Sequence, residues 1–234
     1  MYPHRIRLRG PWECERIEML GHGLPTVPPL LRHGRETVPP ARRVLMPCRW
    51  IDAGLADFHG NARFTRRFGY PGNIDESEHV WLTCDGCTGC REVWLNGELL
   101  AEIPGETFAF DVTQRLSLRN RLDVLIQGDT DDAGLWDEVA LEIRKDAFLA
   151  DAQIERTATA VHLIGKAYGT SPQPLELYVL VDGRHVDYRT ISPTAAGTPF
   201  RIELAGVTDE SQFVRAELIH VSSIWYVIEI PISR

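Results

Sequence analysis

Apolar and polar residues alternate one by one along much of this chain. In Arg121-Leu122-Asp123-Val124-Leu125-Ile126, and again in Val139-Ala140-Leu141-Glu142-Ile143, the alternation puts one set of side chains on one face of an extended backbone. Runs rich in Val, Ile, Leu, Phe and Trp, separated by Gly, Pro, Asn and Asp, predict strands near 5–9, 12–19, 42–46, 62–68, 79–85, 91–95, 98–103, 106–111, 121–127 and 137–144. Asn96-Gly97 between two of these runs predicts a tight hairpin, because both residues tolerate a positive φ. No amphipathic helix longer than two turns is expected, and Asp111 to Leu116 holds at most a single turn.

Two stretches interrupt the pattern. Residues 20–41 carry much of the proline and glycine and predict a long irregular excursion, since proline cannot donate to a sheet ladder. Residues 145–152 predict a boundary between a first domain, 1–148, and a second, 149–234. After this boundary, strands are expected near 153–158, 160–167, 174–181, 185–191, 198–204, 213–220 and 224–231. Seven short strands match an immunoglobulin-like sandwich, with the turns Val181-Asp182-Gly183-Arg184 and Ala205-Gly206 between them.

Composition narrows the function classes. A formal charge of -8 over 234 residues argues against a nucleic-acid partner, which needs a concentrated basic surface. No run approaches the roughly 20 apolar residues of a membrane helix, so no membrane partner is expected. The N-terminus, Met1-Tyr2-Pro3-His4-Arg5, lacks the apolar core of a leader, which makes the cytoplasm the expected location. Five cysteines, an odd number, then read as reduced thiols.

A resemblance covers most of residues 5–150. Gly10-Pro11-Trp12-Glu13, Met46-Pro47-Cys48-Arg49-Trp50, Phe64-Thr65-Arg66-Arg67-Phe68, Val93-Trp94-Leu95-Asn96-Gly97, Phe110-Asp111-Val112-Thr113, Asn120-Arg121-Leu122-Asp123-Val124 and Gly134-Leu135-Trp136-Asp137-Glu138-Val139 succeed one another in the chain. In this order they resemble the N-terminal sugar-binding domain of glycoside hydrolase family 2, which includes β-galactosidases, β-mannosidases and β-glucuronidases. The resemblance implies an all-β chain, with a galactose-binding-like jelly-roll sandwich followed by an immunoglobulin-like β-sandwich. In that family the catalytic glutamates lie in a third domain, a TIM barrel of about 250 residues. The 234 residues here leave no room for one beside two sandwiches, so no glycosidase activity is expected from this chain alone.

The candidate carbohydrate-binding residues are Asp131, Asp132, Trp136, Trp50 and His59. The first three lie in or beside Gly128-Asp129-Thr130-Asp131-Asp132-Ala133-Gly134-Leu135-Trp136, which the resemblance places near the substrate end of the domain. Carboxylates accept hydrogen bonds from sugar hydroxyls, while an indole stacks on the apolar ring face. Trp50 and Trp136, at strand–loop junctions, are expected to be exposed, and Trp12, Trp81 and Trp94 to be core. His59 sits in a loop that can face the same end; an ordinary turn is the competing reading.

No cofactor or catalytic residue is expected, and structural calcium on Asp129, Asp131 and Asp132 is the alternative occupant of that loop. The eight histidines lack the spacing of a zinc site. Cys84-x-x-Cys87-x-x-Cys90 would need its fourth iron–sulfur ligand at position 94, which is Trp94, so the three read as buried thiols around a turn and not as metal ligands. The expected partner is a saccharide. The competing reading is a structural module with a protein partner or a homo-oligomer, or an accessory subunit of a split glycosidase.

Overall fold

The computed structural model describes residues 3–17, 41–128, 130–208 and 210–232. The excursion expected over 20–41 therefore lies, except for Ala41, outside the described residues, as does Asp129. Among the described residues every extended regular element is a strand, with one 3-10 turn at Thr113–Arg115. No helix among them is long and apolar enough to cross a membrane.

In chain order the strands are β1 (His4–Arg7), β2 (Trp12–Ile17), β3 (Arg42–Val44), β4 (Cys48–Arg49), β5 (Gly60–Gly69), β6 (Glu78–Cys84), β7 (Cys90–Leu95), β8 (Glu98–Glu102), β9 (Phe108–Asp111), β10 (Arg119–Gly128), β11 (Gly134–Leu135) and β12 (Val139–Lys145). They continue as β13 (Ala147–Arg156), β14 (Val161–Gly169), β15 (Leu175–Val181), β16 (Arg184–Ile191), β17 (Thr198–Glu203), β18 (Phe213–His220) and β19 (Ser223–Pro231). The chain divides into two compact units: residues 5–73 with 80–142, and residues 143–234 with 1–4 and 74–79.

The first unit is a β-sandwich of a six-stranded sheet, β3-β2-β5-β10-β7-β8, and a four-stranded sheet, β1-β12-β6-β9, with a two-stranded ribbon, β11-β4. Strand β10 is central to the larger sheet. It pairs antiparallel with β5 over its whole length and with β7 on the other side. Its period of two sends Leu122, Val124 and Ile126 inward, where all three are fully buried beside Phe64, Val93 and Leu95. Trp81 and Trp94, expected in the core, lie instead on the outward period of β6 and β7 and are half-buried. The Trp94 indole N–H donates to Glu92 Oε2 at 2.8 Å.

The β7–β8 hairpin turns at Asn96-Gly97, with φ of 54° and 87°, the left-handed geometry expected of this dipeptide. Asn96 does more than turn the chain. Its Nδ2 donates to Arg115 O at 2.8 Å and to Asn120 Oδ1 at 3.0 Å, and its Oδ1 accepts from the Arg121 amide at 2.9 Å. Asn120, itself buried, accepts from the Ser117 amide and donates to Ser117 O, both at 2.8 Å. Two side-chain amides thus satisfy the backbone where β10 begins.

The second unit is a β-sandwich of a three-stranded sheet, β13-β14-β17, and a four-stranded sheet, β16-β15-β18-β19. Leu163, Leu175, Leu177, Val179, Ile202 and Leu218 fill its core. Across the boundary expected near 145–152 the backbone is extended: Ala147–Arg156 is a ten-residue strand. Ala147 and Leu149 point into the core, and a register shift between Ala150 and Gln153, where Asp151 has φ 55°, breaks the alternation that would have marked the strand in the sequence.

Replacing Asn120 by Ala strands the Ser117 amide, the Ser117 carbonyl and one Asn96 amide proton. The expected loss is about 2–3 kcal/mol of unfolding free energy, read as a lower urea midpoint at unchanged m-value; a loss under about 0.5 kcal/mol would show that water replaces the network.

Candidate functional site

Three connections meet at one end of the first sandwich. Gly60 pairs with Gly128, so the loop before β5 and the loop after β10 leave the sheet together. Ile126 pairs with Cys90, which brings the 85–89 link to the same end. The β4–β11 ribbon closes it: Gly134 pairs with Arg49 and Leu135 with Cys48, and Thr88 exchanges backbone hydrogen bonds with Gly134 at 2.9 and 3.0 Å. The Trp50 amide donates to Ala133 O at 2.7 Å.

Trp136 is fixed from two sides. Gly86 lies against its six-membered ring so closely that a Cβ there would overlap the ring carbons. Its indole N–H donates to Thr88 Oγ1 at 2.9 Å. The Arg49 guanidinium lies over the indole at 5.8 Å from the ring centroid. The same guanidinium donates to Asp132 Oδ1 at 2.9 Å, and the Arg49 amide donates to Asp52 Oδ2 at 3.3 Å. The Asp132 side chain is 81% exposed and Asp131 is exposed beside it. A pair this open adds little stability; it presents a carboxylate and guanidinium N–H groups to solvent next to a half-buried indole.

Of the five residues proposed from sequence, Asp132 and Trp136 are linked directly through Arg49. Asp131 is carried on the same turn, and His59 is exposed at the same end, one residue before Gly60. Trp50 is a correction. It is 1% exposed, donates its indole N–H to Phe58 O at 2.8 Å, and stacks on Phe58 with centroids 6.1 Å apart. Gly128 leaves the space that its ring fills. The strand–loop junction that suggested exposure is folded back over the core by the turn from Arg49 to Leu55, where Ala53, Gly54 and Leu55 amides close successive backbone hydrogen bonds. Trp50 therefore has no free face for a ligand.

Sequence reasoning passed over Arg49, Thr88 and Gly86. Arg49 stood in the Met46-Pro47-Cys48-Arg49-Trp50 motif, but only the β4–β11 pairing reveals that it reaches Asp132 and Trp136. Beside the site, Asp85 accepts from Arg5, Arg5 contacts Glu138 at 3.5 Å, and Arg7 pairs with Glu138 at 2.6 Å. Burial pushes the Asp85 carboxyl up, and Arg5 opposes that. Among the described residues, no group of three or more His, Cys, Asp and Glu side chains is arranged to hold a metal ion.

With that geometry in hand, comparison with known proteins gives a likeness of fold. No protein-family model and no curated protein sequence matches the chain. Solved structures do. A β-glucuronidase from Bifidobacterium dentium, solved with coumarin-3-O-glucuronide, superposes with a TM-score of 0.69 at 20% identity, over 98% of this chain and 47% of that one. β-Glucuronidase 3 from Bacteroides uniformis gives 0.70 at 16%, over 99% and 35%. A glycosyl hydrolase family 2 member from Bacteroides cellulosilyticus gives 0.65 at 13%, over 97% and 36%. The chain spans less than half the length of each and has the fold of a part of these β-glycosidases.

Gly128→Ala is expected to push Trp50 off Phe58 and cost about 1–3 kcal/mol, as overpacking of a filled site does, seen as a lower midpoint in urea. Arg49→Ala is expected to leave stability within about 0.5 kcal/mol while shifting the Trp136 contribution to fluorescence to the red. An unshifted spectrum would mean that Arg49 does not cover the indole.

Proposed function

We propose that this chain is a non-catalytic carbohydrate-recognition unit of the kind carried by family 2 glycosidases, binding a saccharide at the Arg49–Asp132–Trp136 end of its first sandwich. One observation carries the reading. Arg49 holds a solvent-facing carboxylate against a half-buried indole, so donors, acceptors and an aromatic surface meet at one point. Sugars present that same mixture, with hydroxyls around the ring edge and C–H groups on its face. The likeness of fold to β-glucuronidases supports the substrate class. The chemistry itself rests on the site, because one fold hosts many functions.

The test is calorimetric titration with β-galactosides, β-mannosides and β-glucuronides. Binding to at least one is expected, with Trp136→Ala and Asp132→Ala each weakening it about tenfold, equivalent to about 1.4 kcal/mol, at unchanged circular dichroism. Absence of heat with every sugar, or full affinity in Trp136→Ala, would sink the proposal. Turnover of a nitrophenyl glycoside by the purified chain would remove its non-catalytic part.

A second reading has one observation in its favour. Leu45 is 69% exposed and Ile51 is 53% exposed on either side of the Cys48–Arg49 strand, and apolar side chains left in solvent near a binding end suit a protein partner. Under it the chain is a structural or interaction module, an accessory subunit of a split glycosidase, or a homo-oligomer. Sedimentation giving a dimer that Leu45→Ser dissociates, with no sugar binding, would favour this reading.

A further inference from the structure

The end of the first sandwich that carries Trp136 extends beyond the Arg49–Asp132–Trp136 group. Four stretches of backbone meet across it. Arg49 of β4 pairs with Gly134 of β11, Gly134 exchanges hydrogen bonds with Thr88, and the neighbouring Cys87 amide donates to Glu106 O at 2.7 Å. The Cys87 thiol donates to Gly105 O at 3.3 Å and to Glu106 O at 3.4 Å. The loop 103–107 between β8 and β9 is thereby fastened to the link that holds Trp136 through Gly86 and Thr88. Hydrogen-bonded backbones lie about 5 Å apart, so this lip is on the order of 10–15 Å across. A single sugar ring covers only part of it.

Ile103 is the irregular residue of the loop. Its φ is 47°, in the left-handed region that a β-branched side chain adopts only under strain. Pro104 follows it, and the residue before a proline is ordinarily extended. The Ile103 amide donates to Arg91 O at 2.6 Å, one residue beyond the β7–β8 ladder, and this bond helps to hold the conformation. The side chain is 67% exposed and so adds little to the core. Glycine would take the same backbone without strain. A strained residue that its surroundings hold in solvent points to a function rather than to packing.

We propose that Ile103 is a ligand-contacting residue on the far side of this lip, and that the site takes glycosides carrying an uncharged, apolar aglycone, alkyl or aryl. The inference rests on the saccharide reading above: the sugar lies at Asp132 and Trp136, and the aglycone lies against Ile103. The chemistry of the two sides divides the ligand in this way. Arg49, Asp132 and the indole supply donors, acceptors and an aromatic face, which suit hydroxyls and ring C–H groups. Ile103 offers only carbon, so its contribution grows with the apolar area it covers. Glu102 and Glu106, both exposed in the same stretch, disfavour an acidic group there.

The experiment titrates the full chain by calorimetry with methyl and nitrophenyl β-galactosides, β-mannosides and β-glucuronides. For the sugar that binds, the nitrophenyl glycoside is expected to bind about tenfold more tightly than the methyl glycoside. Ile103→Gly is expected to cut that ratio below about twofold and to leave the methyl affinity unchanged. The same variant is expected to keep or raise the midpoint in urea, because it relieves the left-handed backbone. Trp136→Ala is expected to weaken both glycosides alike. Equal affinities of the two glycosides, or a ratio that survives Ile103→Gly, would overturn this inference and leave the saccharide site standing. A lower urea midpoint in Ile103→Gly would also overturn it, since Ile103 would then belong to the fold. Binding of none of the glycosides would overturn the saccharide reading and this inference together.

Discussion

The double-sided pairing of β10 is the constraint on which the first sandwich depends. A ten-residue strand held between β5 and β7 has no freedom of register, because a slip of one residue would turn Leu122, Val124 and Ile126 out of the core. Its two ends then do different work. At the start, Asn120 and Asn96 satisfy the backbone that the ladder leaves open. At the finish, Gly128 stops presenting a side chain where the Trp50 ring comes across. The same register fixes which loops emerge together. The position of the candidate site is therefore a consequence of core packing.

That end of the sandwich is layered. Buried Trp50 and half-buried Phe58 stack over the end of β10. The β4–β11 ribbon is itself buried at Cys48, Gly134 and Leu135, and it carries the exposed Arg49–Asp132 pair and the half-buried Trp136. One tryptophan is structural and the other sits at the surface, although both occupy strand–loop junctions. The difference lies in the backbone just C-terminal to each. After Trp50 the chain turns and folds over the ring, whereas Trp136 leads straight into β12 and is fixed only from below and above.

Much of the fold was legible because a two-residue period survives any number of substitutions that keep size and polarity. The alternation in Arg121 to Ile126 and the Asn96-Gly97 turn each led to the observed element. Reading failed where the period breaks or where partners are distant in sequence. The bulge near Asp151 breaks the alternation at the start of β13, so only its part after the bulge carries a legible period. The two-residue strands β4 and β11 have no period to detect, yet their pairing is what brings Arg49 to Asp132, 83 residues away. Asp132 and Trp136 could be nominated from sequence, but neither their joint partner Arg49 nor the burial of Trp50 could.

The cysteine stretch shows the same division within a single segment. Spacing alone offered a metal site or three core thiols, and each choice treats the cysteines as separate from the strand signal beside them. The sheet register removes that separation. Because Cys90 pairs opposite Ile126 and Cys84 opposite Phe108, the link between them is short, and its middle residue Cys87 is buried and donates its thiol to the Gly105 and Glu106 carbonyls. The same shortness puts Gly86 and Thr88 on Trp136. The buried thiols and the indole thus share one five-residue link, so the strand pairing that makes the cysteines core residues also holds the indole in place at the surface proposed to meet a ligand.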